Sequence, residues 1–245
     1  MKNSNIFLRS VLDEIPRLLG QLNRNPASRT YGSFDRAFWH YRTNDISSAR
    51  YQEAILTLTL LYRTPFDGND YFGDKKILEW IRAAFDFSVS IQNSDGSFNE
   101  WYVHEGSFVA TAFIVAALSR ALLMLDIKEI PAREVIIKSL QSAADWIQCR
   151  GEHLVFNQEA GSVAALWGVF RLTGDGRYRN AAEKKIDSIL RHQKSEGWWD
   201  EYGGPDVGYL SLMIDYLSYF YQETGDMWVL DSIKKANFLF NPSLM

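Results

Sequence analysis

Cysteine is almost missing from this chain. Its 245 residues include one, Cys149, which excludes an intramolecular disulfide and any thiolate cluster for a metal. Long hydrophobic runs are missing too. None reaches the roughly 18 residues of a membrane-spanning helix, and the opening residues from Met1 to Arg9 lack the apolar core of a secretion signal. A cytoplasmic protein without a membrane span is expected. There is no excess of positive charge, since 26 Lys and Arg face 30 Asp and Glu for a net charge of -4. With the basic residues scattered, no electrostatic footprint for nucleic acid is visible. Alternating strand patterns are absent as well.

What is present is aromatic side chains, 14% of all residues with 8 Trp and 12 Tyr, and helical periodicity. A composition of 47% hydrophobic and 23% charged residues belongs to a folded globular chain. The length suffices for one sizeable core, and no linker divides it. Apolar residues three or four apart predict helices over about 6–23, 46–63, 75–92, 105–125, 132–149, 157–173, 176–194, 206–224 and 226–240. Thr173-Gly174-Asp175 recurs as Thr224-Gly225-Asp226, a glycine suited to a left-handed closing turn followed by an Asp able to cap the next helix.

The helices alternate in texture. Those containing Phe108 to Ala117 and Ala160 to Leu166 are small, apolar and poor in charge, and so read as inner, buried helices. Those over 75–92, 133–148 and 177–193 carry charged faces and read as outer ones. A turn pattern joins them, repeating about every 50 residues, as stacked helical hairpins do. Gln92 leads through Gly96 to Phe98, and Gln193 leads through Gly197 to Trp198-Trp199; Gln148, Gly151 and Phe156 form a degenerate copy. The expected fold is all-α, an (α/α) toroid of hairpins forming one domain over 1–245, with four pairs and a remainder, hence an incomplete or open ring.

Such a ring gathers the turns at one rim, where four clusters of functional side chains fall. One is Asn99, Glu100, Trp101, Tyr102, His104 and Glu105. A second is Asn157-Gln158-Glu159. A third comprises Trp198, Trp199, Asp200, Glu201 and Tyr202, with Asp206 and Tyr209. The fourth runs from Tyr31 through Arg36 and His40 to Thr43, then Arg50-Tyr51-Gln52-Glu53, a stretch too rich in functional groups for an ordinary connector. The plain reading makes Asn99 and Glu105 helix caps, His104 a solvated turn residue, and Arg36 or Arg50 the ion-pair partner of Asp35 or Glu53. The functional reading makes the Arg forks hold a carboxylate, a sulfate or sugar hydroxyls. Of two adjacent Trp, at least one must face a cleft or solvent.

The stretch His153 to Ala160, followed by Gly174, Gln193, Gly197, Glu201 and Tyr209, resembles the toroid domain of heparinase II/III-like and alginate-lyase-like polysaccharide lyases over about 75–240. The chain differs in having Gln158 where those enzymes have His, and in a longer step from Glu201 to Tyr209. The resemblance implies a uronate-containing saccharide as ligand, β-elimination as reaction, Asn157 on the uronate carboxylate and Tyr209 in proton transfer. From the clusters themselves, Tyr102 or His104 also qualifies as the base, and Asn99 or Arg50 as the stabiliser. The remaining candidates for contact with substrate are Glu100, Trp101, Glu105, Arg36, His40, Gln158, Trp198, Trp199, Glu201 and Asp206. Neither metal nor cofactor is expected. The alternatives are a non-catalytic carbohydrate-binding or scaffold toroid and, from the similarity of the turns to terpene cyclase and prenyltransferase repeats, an isoprenoid-handling toroid with a greasy cavity.

Overall fold

From Phe108 to Leu118 the chain has no charged residue, so a helix built there has no face suited to water. In the computed structural model, which describes residues 4–237, every residue from Ala110 to Ser119 is buried. The described residues form nine α-helices: α1 (Ser4–Gln21), α2 (Ala54–Arg63), α3 (Lys75–Ser90), α4 (Phe108–Met124), α5 (Arg133–Gln148), α6 (Phe156–Thr173), α7 (Gly176–His192), α8 (Val207–Thr224) and α9 (Met227–Asn237). No strand occurs among them, only isolated bridges between turns. The fold is all-α, as the periodicity predicts; residues 238–240 of the last predicted helix lie outside the described residues.

The two textures sort into two layers. The helices α2, α4, α6 and α8 pack in succession, each beside the next, while α3, α5, α7 and α9 pack in a second succession, and each consecutive pair forms a hairpin. In α6 every residue from Glu159 to Val169 is buried. Close approach needs small residues: a Cβ on Gly161 would stand 2.3 Å from the Phe113 ring, and one on Gly168 would stand 2.1 Å from Ser119 Oγ. The Phe113 and Tyr216 rings, from α4 and α8, meet beside Gly161 with centroids 5.0 Å apart. The outer helices bury one stripe each, such as Ile77, Ile81, Ala84 and Phe85 of α3.

The repeated Gln is a staple. Gln92 Nε2 donates to the carbonyls of Gly96 and Ser139, both at 2.9 Å, while Ser139 Oγ donates to its Oε1 at 2.6 Å. Gln193 repeats this on Gly197 and Ser232, at 2.9, 2.9 and 2.8 Å. Each turn is thereby tied to the next outer helix. The glycine is equally constrained: at φ +92° and +104°, a Cβ on Gly96 or Gly197 would reach within 2.4 Å of Ser142 O or 2.5 Å of Lys235 O. A further copy, hidden in the sequence, closes the first hairpin. There Gly32 lies against Ala83 of α3, Asn23 N donates to Ser33 O as Asn93 N does to Ser97 O, and Phe34 is buried like Phe98 and Trp199. In that copy Gln52 supplies the amide, bonding Gly32 O and accepting from Phe34 N.

The degenerate third turn uses charge instead. Gln148 bonds Asp145 instead, and Lys185 of α7 donates to Arg150 O at 2.7 Å and to Glu159 of α6 at 2.8 Å, a buried ion pair. Two helix starts also differ from expectation. The helix α4 begins at Phe108 under the cap of Ser107 Oγ, which accepts from Ala110 N. Ahead of α2, Ala49–Glu53 form a tighter 3-10 turn, because Asp35 holds Ser48 N at 3.0 Å and Ala49 N donates to Asn99 O.

Candidate functional site at the N-terminal ends of the inner helices

The bonds between turns place the four clusters at the N-terminal ends of the inner helices. Ala49 N to Asn99 O joins the segment before α2 to the turn before α4. Tyr202 N to Leu154 O at 3.1 Å, and the Val155–Glu201 bridge, join the turns before α6 and α8. The two pairs approach each other, for the phenol of Tyr202 lies within electrostatic reach of Tyr209, Glu152, Glu201 and Glu100.

Between the first pair of turns opens a cleft of about 620 Å³. Asn44, Asp45, Arg50, Tyr51, Glu100, Trp101 and Tyr102 are among the residues that line it. Arg50 is its electrostatic centre: it pairs with Glu53, sits 3.7 Å from Glu100 Oε1, and lies over the Phe113 ring at 4.5 Å. Burial pushes the carboxyls of Glu53 and Glu100 above the ordinary range, against the opposing pull of Arg50. Two carboxylates on one guanidinium leave one negative charge unbalanced in a half-buried place. One proton taken up there restores neutrality. Burial also pushes the Tyr216 phenol well up, and Glu53 adds to the rise. Ser47, between the lining residues Ile46 and Ser48, is buried with its hydroxyl unpaired among the described residues.

Trp101 and Tyr102 are 73% and 75% exposed, and their backbone is fixed. Glu105 Oε2 accepts from the N–H groups of Glu100, Trp101 and Tyr102 at 3.2, 2.7 and 2.8 Å. Asn99 Oδ1 accepts from Gly106 N, and the Asn99 and Asn93 amides bond each other both ways. Thus Glu105 and Asn99 shape the turn, and Trp101 and Tyr102 are what it presents. His104 is exposed at φ +58°.

Other expected contacts lie elsewhere. Asn157 is buried; its N–H and side-chain amide donate to the two oxygens of Glu201 at 2.9 and 2.7 Å, so it is spent within the fold and does not face the cleft. Burial pushes Glu201 up to about 7, with Asp206 and Asp200 adding to the rise against the bonds from Asn157. Asp206 caps α8 through Tyr209 N. Trp199 is core, 2% exposed, with its N–H on Ile189 O. Its neighbour Trp198 is half-buried under Lys194. Arg36 donates to Gly20 O, on a carbonyl left open near the end of α1, and lies over Tyr41. His40 is exposed between the Trp39 and Tyr41 rings. Gln158 is half-buried, and the Tyr209 ring stands 6.1 Å from that of Tyr202.

Sequence reasoning left Glu53 as a mere ion-pair partner, named Tyr51 and Tyr202 within their clusters without giving either a role, and passed over Tyr216. For Tyr51 and Tyr202 a signal existed, an aromatic beside an acid in a turn; for Tyr216, buried at mid-helix, there was none. No protein-family model matches the chain, and neither does any curated protein. No helix among the described residues is long and apolar enough to cross a membrane, and none of their His, Cys, Asp and Glu side chains form a group of three placed for a metal ion.

Proposed function

We propose that the chain is an open (α/α) toroid whose rim cleft takes a uronate-containing saccharide. Two features support the ring: the double succession of helices, and the contacts by which Arg50, ahead of α2, covers the Phe113 ring of α4 while that ring meets Tyr216 of α8. The reading of the site rests on the cleft, where Tyr51, Trp101 and Tyr102 share the lining with a half-buried Arg50–Glu100 pair. Aromatic faces stack on sugar rings, and the guanidinium is the cleft's group for a carboxylate. Proton uptake by Glu53 or Glu100 releases Arg50 to meet it.

For β-elimination the cleft offers Arg50 to stabilise the enolate-like intermediate and Tyr102 to take the C5 proton and pass it to the oxygen that leaves C4 as the C4–C5 double bond forms, in the roles expected earlier of Asn157 and Tyr209. A binding-only role is the second reading, favoured by the exposure of Trp101. Titrating uronate oligosaccharides while following absorbance of the unsaturated product separates the two. Product that disappears in Tyr102→Phe supports elimination, and binding without product supports the second reading. Absence of both across alginate, pectin and glucuronan fragments, with the fold intact, contradicts the proposal.

A further inference from the structure

The turn before α8 repeats the features of the turn before α4. Tyr202 is 70% exposed and Tyr209 40%, their rings 6.1 Å apart, so a second aromatic platform stands at the rim outside the cleft. Tyr202 is also held at φ +56°, a left-handed backbone that a non-glycine residue adopts only at a cost. His104 sits at +58° in the equivalent turn. The strain belongs to the tight turn in which Glu201 N donates to Gly204 O at 2.7 Å, and that turn leaves the Tyr202 ring exposed. Glu100 of the first turn and Glu152 of the second pair are half-buried and lie within electrostatic reach of Tyr202. Rings set apart in a bed of hydrogen-bonding groups suit a chain of hydroxylated rings. A protein partner would be served by one continuous apolar patch.

We infer that Tyr202 and Tyr209 form a second sugar subsite, and that the ligand is an extended oligosaccharide spanning the rim from the Trp101–Tyr102 platform to this one. The inference rests on the carbohydrate reading of the cleft and adds ligand length to it. Chain-length calorimetry tests it, with disaccharides and hexasaccharides cut from alginate, pectin and glucuronan. The hexasaccharide of the bound series is expected to bind about tenfold tighter than its disaccharide, as one added stacking platform provides. The double variant Tyr202→Ala/Tyr209→Ala removes that gain and leaves disaccharide affinity unchanged, whereas Trp101→Ala weakens both lengths.

Equal affinity for both lengths, or a double variant that binds hexasaccharide as the parent does, overturns the subsite while the cleft stands. Failure of every series to bind at either length overturns both. Sedimentation provides the remaining outcome: self-association of the parent that the double variant abolishes makes the platform a protein contact and overturns the subsite.

Discussion

Asn157 and Glu201 clasp the last two complete hairpins together, the backbone and side-chain N–H groups of one residue meeting both carboxylate oxygens of the other. The bond from Asn157 N makes Glu201 a remote N-terminal cap for α6, since Val155 at the cap position offers no side-chain acceptor.

That carboxyl is pushed up to about 7 from an ordinary 4.5, so the folded state holds a proton that the unfolded chain releases. Its contribution to stability is complete below about pH 4.5, declines as pH rises from there toward 7, and is flat above. Glu201→Gln is expected to flatten this decline, which is on the order of 1–3 kcal/mol. Urea unfolding at pH 5 and pH 8 measures it, and an unchanged slope in the variant assigns the pH dependence elsewhere.

The staple predicts a matched pair of losses. Gln92→Ala strands Ser139 Oγ and two carbonyls in a partly buried turn, at a cost of about 1–3 kcal/mol. Gln193→Ala should cost about as much, because its bonds to Gly197 and Ser232 are the same. Gly96→Ala must cost more than about 2 kcal/mol, since a left-handed φ and a backbone clash add together. Denaturant midpoints of the three variants check this order.

The buried pair of Glu159 and Lys185 predicts asymmetry. Removing one partner, as in Glu159→Ala, leaves an uncompensated buried ammonium and costs about 3–5 kcal/mol. The double change Glu159→Leu/Lys185→Met is expected to cost less than either single change, by thermal melting. Additive losses would mean that the pair carries no coupling.

The helices were legible because burial writes itself into texture: the uncharged run of α4 and the striped α3 leave no other option. The Gln-to-Gly turns were legible too, although their Gln and Gly serve packing. The first turn stayed hidden because ten residues separate Asn23 from Ser33, where four separate Asn93 from Ser97, and because its amide comes from Gln52 far along the chain. Asn157 and Trp199 looked available since composition cannot tell a polar or aromatic group spent inside from one offered outside. The Glu53–Arg50–Glu100 cluster joins two turns distant in sequence, and only their convergence reveals it.

The most direct measurement of the central claim is the indole ¹H–¹⁵N spectrum of the protein during titration with alginate, pectin and glucuronan oligosaccharides, with Trp101→Phe assigning one resonance. The account predicts that the Trp101 signal moves with saturation and that the buried Trp199 signal stays in place. A titration in which Trp101 is still, or in which only Trp228 on the far outer helix responds, contradicts it.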